Sequence, residues 1–188
     1  VSPSGRFEKT LPISINQQAK WREPKNTCQG YFPRGVFYMW EDDFWISGTH
    51  VDDEAKARAY YERTLGDLAK QGFNMIFAVW TPTDHRKMVL DIAQEHGIKV
   101  VVYLHEIYQW ISGEGKANII NLAEQTVKEI KDHPAVAGYY VIDEPGSEPT
   151  TLKRTLNARK ALEVVDPKHP SFYCFIGQTQ YDLSLKTV

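Results

Sequence analysis

Cysteine is scarce in this chain: its 188 residues include two, Cys28 and Cys174. Two thiols this far apart set up no disulfide framework. Cys174 sits inside an apolar run and reads as a small buried thiol. Charge of one sign is scarce too. The net charge of −2 leaves no electrostatic footprint for nucleic acid or for an anionic membrane surface. Long hydrophobic runs are missing. The longest, Val100 to Leu104 with Ile98 before it, is strand-length and far short of the ~20 residues of a membrane span. No secretory-signal pattern opens the chain. It begins at Val1 rather than Met, which points to processing, excision or trimming and leaves the compartment open. No G-x-G-x-x-G or G-x-x-x-x-G-K-[ST] follows any candidate strand, and no H-x-H or H-E-x-x-H spacing occurs. His105, Glu106 and His85 therefore make a poor metal set, and neither a cofactor nor a metal is expected.

What is present is a hydrophobic content of 42% with 24% charged residues, enough for one domain with a core of its own. Aromatic residues are abundant, at 12% with 5 Trp and 10 Tyr. They fill a core or line a concave site, and position has to decide between the two.

Residues 1 to about 30 are punctuated by Pro3, Gly5, Pro12, Pro24 and Gly30, hold no periodicity, and read as an irregular arm. From there the chain alternates. A strand is expected over Gly35 to Trp40, followed by Glu41, Asp42 and Asp43. Asp52 or Asp53 can cap a helix over about Glu54 to Gln71, which Gly72 ends. Phe73 to Trp80 is the second strand, stopped by Thr81-Pro82. Thr83 caps a helix carrying Val89, Ile92, Ala93 and His96 on one face. Lys99 to Glu106 is apolar on both faces, as a covered parallel strand must be. A loop through Trp110, Gly113 and Gly115 leads to a helix over about Ala117 to Asp132. Ala135 to Pro145 is the fourth strand, Thr150 to Val165 a fourth helix, and Ser171 to Gly177 a fifth strand. Residues 178–188 read as a loop.

This is β-α five times over without the last helix, at roughly 35 residues per repeat, near one eighth of a ~250-residue barrel. The fold class expected is α/β, an incomplete (β/α)8 TIM barrel with about five parallel strands and four helices. Residues 31–188 are its N-terminal part. A doubly wound open sheet is the competing plan, and the missing phosphate loops count against it. An open part-barrel leaves strand edges bare. The expectation is that the chain is a fragment of a longer protein, or that another chain supplies the missing C-terminal part of the barrel.

The C-terminal ends of the strands collect one kind of residue: Trp40, Glu41 and Asp42, then Trp80, then His105 and Glu106, then Asp143 and Glu144. The opposite ends offer Pro33, Asn74, Lys99 and Ala135, which form no such set. Carboxylates gathered at one mouth suit general acid–base chemistry. Asp143 and Glu144 stand out because Pro145 ends the apolar strand beside them. Burial by Tyr139 and Tyr140, together with the neighbouring like charge, are the two means of raising the pKa of such an acid. Trp40, Trp80 and Trp110 are candidate sugar platforms and equally candidate core residues.

Val-Ile-Asp-Glu-Pro at the end of the fourth strand resembles the Asn-Glu-Pro of the large superfamily of retaining β-glycosidases built on (β/α)8 barrels, often called clan A. The stretches Phe37 to Trp40, Gly72-Phe-Asn-Met-Ile and His133 to Tyr140 are similar to the same group. The resemblance implies a glycoside hydrolase acting on an oligo- or polysaccharide, with Glu144 as general acid/base. It implies a second Glu after strand seven as nucleophile, which this chain lacks, so that the chain by itself is expected to be inactive. It also favours an extracellular or periplasmic setting. Substrate contacts are expected from Trp40, Glu41, Trp80, His105, Glu106, Trp110 and Tyr140. Asp143 stands where the family has Asn, and an ionised Asp accepts hydrogen bonds but cannot donate one. Two other readings stay open: a carbohydrate-binding barrel that has lost hydrolysis, and a barrel lyase or aldolase. The latter is weakened because no strand ends in Lys.

Overall fold

The computed structural model describes residues 33–39, 53–79, 81–113, 117–144 and 148–174. The N-terminal arm, Trp40, Glu41 and Trp80 lie outside the described residues. Five strands alternate with helices: β1 Gly35–Met39, α1 Glu54–Lys70, β2 Met75–Val79, α2 Arg86–Glu95, β3 Lys99–Tyr103, α3 His105–Ile111, α4 Ile119–Val127, β4 Val136–Asp143, α5 Pro149–Val165 and β5 Ser171–Cys174. All neighbouring strand pairs are parallel, and the sheet order is the chain order, β1-β2-β3-β4-β5. A doubly wound sheet reverses its strand order at a switch point. This one never does, and simply adds each strand beside the last, as a barrel wall does.

Two separate apolar clusters confirm two covered faces. The larger holds Ile76, Ala78, Val100, Val102, Tyr139 and Val141 of the strands with Tyr61, Leu65, Ile92, Ala123, Ala158 and Leu162 of the helices. It is the layer between sheet and helices. The smaller, built on Val101, Tyr103 and Tyr140 with Met75, Phe77, Ala137 and Phe172 against it, lies on the opposite, lumen-side face.

Local chemistry sets the element ends. Asp53 caps α1, its carboxylate accepting from the N–H groups of Ala55 and Lys56 at 3.1 and 3.2 Å. The Lys56 N–H holds the Asp53 carboxyl below its ordinary value. Gly72 closes the helix at φ +87°, a conformation suited to glycine. Asn118 caps α4 in the same manner as Asp53, and Pro149 opens α5.

Three expectations need correction. The third strand stops at Tyr103, and a fifth helix, α3, occupies the stretch expected to be a loop through Trp110. Thr83 does not cap a helix. A single turn of 3-10 helix runs over Thr83–His85, and the Thr83 hydroxyl donates instead to Glu106 at 2.9 Å. Cys174 is exposed, because it ends β5, the last strand of the described sheet.

β4 has the most irregular pairing. Its register shifts twice, once opposite Val100 and Val101 and again between Tyr140 and Ile142. Each shift inserts an extra residue, a β-bulge. The strand crosses β5 closely at Gly138, where a Cβ atom would lie 2.5 Å from the Pro170 carbonyl oxygen and 2.6 Å from the Phe172 ring. Tyr139 faces the helix layer. Its hydroxyl donates to Asp166 at 2.5 Å, and His169 Nδ1 bonds the same carboxylate oxygen at 2.7 Å. Asp166 is itself buried. This network fastens β4 to the turn between α5 and β5.

Candidate active site

The second bulge decides what the end of β4 presents. In a regular strand, residues three apart point to opposite faces. Here the extra residue puts Val141 and Ile142 both in the helix-side cluster, and brings Tyr140 and Asp143 to the same face. The Tyr140 hydroxyl donates to Asp143 Oδ1 at 2.9 Å. Its ring is held by three others, edge-on to Phe37 at 5.6 Å and to Phe77 at 6.1 Å and tilted against Tyr103 at 6.2 Å. Burial, and then the Asp143 carboxylate, push the Tyr140 hydroxyl far above its ordinary pKa. Tyr103 is pushed up as well, first by burial and then by Tyr108 and Asp143.

Asp143 pairs in register with Cys174 of β5. Although Cys174 is exposed, partial desolvation of its thiol raises the pKa, followed by its hydrogen bond to Asp143 and the charges of Asp143 and Glu144. Tyr140, Asp143 and Cys174 are thus one polar cluster at the top of the lumen-side face.

Glu144 follows immediately and differs in kind. Among the described residues it is the one non-glycine residue with positive φ, at +50°. A side chain in this region crowds its own backbone, and a following proline disfavours helical backbone for the residue before it. The conformation is pinned from one side, since the Glu144 N–H donates to the Cys174 carbonyl at 2.9 Å. The Glu144 side chain is exposed. The burial by Tyr139 invoked from the sequence is therefore absent.

The other predicted site residues are dispersed. His105 opens α3 beside the lumen-side rings, stacked on Tyr108 at 6.3 Å and tilted against Tyr103 at 6.1 Å. Glu106 is engaged elsewhere. Both of its oxygens are taken by Arg86, at 3.1 and 2.7 Å, and Thr83 adds a third bond. Burial pushes its carboxyl up, but the Arg86 pair and Thr83 more than offset this and hold it below its ordinary value. Trp110 lies in α3 rather than in a loop. Its indole N–H donates to the Ala117 carbonyl at 2.9 Å, and the Arg154 guanidinium lies 5.1 Å from its ring centroid. His85 turns into the helix layer, 3.0 Å from the Tyr61 hydroxyl. Among the described residues no group of three His, Cys, Asp or Glu side chains is placed to hold a metal ion.

Sequence reasoning missed Tyr103, Tyr108, Phe77 and Phe172 as part of the lumen-side face, and Arg86 as the partner of Glu106. An aromatic residue on every strand was a usable signal for the first group. Nothing in spacing foretold the Arg86 pair, which joins residues 20 apart on different elements.

The sequence matches no protein-family profile and no curated protein. Solved structures do match. A GH2 β-galacturonidase from Eisenbergiella tayi bound to galacturonate is similar at a TM-score of 0.54 and 15% identity, over 74% of this chain and 24% of that one. A β-glucuronidase from an uncultured Clostridium is similar at 0.53 and 21%, over 76% and 25%. A putative α-L-fucosidase from Bacteroides thetaiotaomicron is similar at 0.51 and 11%, over 75% and 50%. The fold shared with these structures is a (β/α)8 barrel, present here in part. The chain spans about a quarter of the length of the first two.

Proposed function

We propose that this chain carries the acid/base half of a retaining glycosidase active site, with Glu144 as general acid/base and a nucleophilic Glu supplied from outside these residues. The observation that carries the reading is the strained backbone at Glu144. A non-glycine residue at positive φ, directly after a parallel strand in barrel order, stands where such folds keep their chemistry. In the first step Glu144 gives its proton to the leaving oxygen while the partner carboxylate, roughly 5 Å away, bonds to the sugar. In the second, Glu144 takes a proton from water, which releases the sugar with retained configuration.

The test uses the protein at its full natural length and a panel of aryl β-glycosides. Glucuronides and galacturonides belong in the panel because two of the similar structures carry those activities in their names. Glu144→Gln should lower kcat/KM by about 10²–10⁴-fold on substrates with poor leaving groups. It should cost much less where the leaving group needs no proton, and azide should restore turnover in Glu144→Ala as a β-glycosyl azide. Activity of Glu144→Gln within about twofold of the parent refutes the assignment. The 188-residue chain by itself should turn over none of the panel.

A further inference from the structure

We infer that the groove between α2 and α4 is a binding site, separate from the Asp143–Glu144 site, for a neutral saccharide of about two rings. The inference does not depend on the role of Glu144.

The groove lies in the helix layer and encloses about 380 Å³. None of its residues belongs to the lumen-side cluster built on Val101, Tyr103 and Tyr140. Its buried member is Arg86, 3% exposed; Lys87, Gln125 and Glu129 are exposed around it. A guanidinium carries five N–H donors. Glu106 takes one from each terminal nitrogen of Arg86, at 3.1 and 2.7 Å, and the Nε–H has no acceptor among the described residues. A buried donor left unmet is costly, so a guest that brings an oxygen to it gains affinity. Glu106 is committed to Arg86 and Thr83, and its part in the groove is to hold the guanidinium in place.

The lining also selects the guest. It holds three carboxylates, Asp84, Glu106 and Glu129, against two cations, Arg86 and Lys87. An anion meets the surplus of carboxylates, and a cation brings no acceptor for the Arg86 Nε–H. A hydroxyl both donates and accepts, so a neutral polyol serves both kinds of lining group. Leu122 and Ile130 add an apolar patch for the C–H face of a sugar ring.

The experiment uses the full-length protein and cellobiose as the probe. Crystals soaked in it should show the disaccharide in the groove, with an oxygen within hydrogen-bond reach of Arg86 Nε. Ligand-observed NMR should give a Kd on the order of 1 mM. Gln125→Trp, which fills the groove from an exposed position, should weaken that binding at least about tenfold, and Glu129→Gln about threefold. Gln94→Trp, exposed on α2 but outside the groove, should leave it unchanged. Methyl β-glucoside should occupy the groove more tightly than methyl β-glucuronide. A groove that stays empty or holds only an ordered water on Arg86 Nε overturns the inference. So does equal affinity in Gln125→Trp and the parent, and a glucuronide that binds the groove more tightly than the glucoside overturns the neutral class. Glu144→Gln should bind cellobiose in the groove as the parent does. An empty groove with Glu144→Gln inactive means that this inference alone has failed; an occupied groove with Glu144→Gln fully active means that the acid/base reading alone has.

Discussion

Replacing Glu106 separates a structural role from a substrate-binding one. The residue stands at the mouth end of the sheet, yet it is clamped to Arg86, which is 3% exposed, while Glu106 itself is 29% exposed. Deleting one partner of a buried ion pair costs about 3–5 kcal/mol, because the other charge is left uncompensated. Partial access of water to the Glu106 side lowers this, and Glu106→Ala should cost about 2–4 kcal/mol. For a domain of this size that is roughly 5–15 °C in Tm. The double change Arg86→Met with Glu106→Leu should recover most of the loss, since an apolar pair needs no desolvation of charge. The pH dependence has a definite sign. The folded pKa of Glu106 is lowered, so the unfolded chain binds the proton more readily. The contribution is complete above the unfolded value, about 4.3, and is lost as pH falls through the lower folded value. Thermal melting of the parent, Glu106→Ala and the double variant at neutral pH and below pH ~4 checks each step. A loss of less than about 0.5 kcal/mol in Glu106→Ala, together with lost affinity for a substrate the parent binds, refutes the clamp and returns Glu106 to the sugar site.

Glu144→Asn should raise stability by about 0.5–1 kcal/mol, since Asn tolerates positive φ, while activity falls as in Glu144→Gln. Melting temperature and aryl-glycoside turnover measured on the same sample test this, and a stability loss would show that the backbone is unstrained. Gly138→Ala should destabilise by about 2–3 kcal/mol. The Phe172 ring can rotate away from a new methyl group, but the Pro170 carbonyl cannot, because it accepts the Tyr139 N–H at 2.9 Å. Chemical denaturation gives the number, and a cost below about 0.5 kcal/mol would mean that β4 and β5 do not cross so closely.

The strand–helix alternation was legible because each parallel strand is an apolar run bounded by Gly, Pro or a cap. Gly72, Gly97 and Pro134 mark the turns before β2, β3 and β4 well enough to place each within a few residues. α3 was not legible. Its 7 residues complete too few turns to show periodicity, and Leu104 at its start offers no side-chain cap. Glu106 was read only as a residue at the end of the third strand; it lies in α3, its partner arrives from another element, and local spacing does not encode such pairs. The face of each β4 side chain was hidden for a different reason. Tyr139, Tyr140, Val141 and Ile142 are all apolar or aromatic and all buried, so no alternation exists from which to read the phase of the strand. The bulge leaves no trace in that run, and it is the bulge that sends Tyr139 to the helices and Tyr140 to the lumen-side face.

The two adjacent carboxylates are held by different means. Asp143 belongs to the sheet: it is the last residue of β4, in register with Cys174, and its orientation comes from the Tyr140 hydroxyl. Glu144 has left the sheet. It keeps one ladder bond, to the Cys174 carbonyl, and turns through a backbone conformation that costs about 1–2 kcal/mol. A strained residue persists only where its surroundings over-determine it. Here the surroundings are β5 on one side and the proline on the other. The position of Glu144 therefore depends on β5 staying paired through Cys174, and β5 is the last strand of the described sheet. On the reading proposed above, a neighbour that holds β5 in place also fixes Glu144.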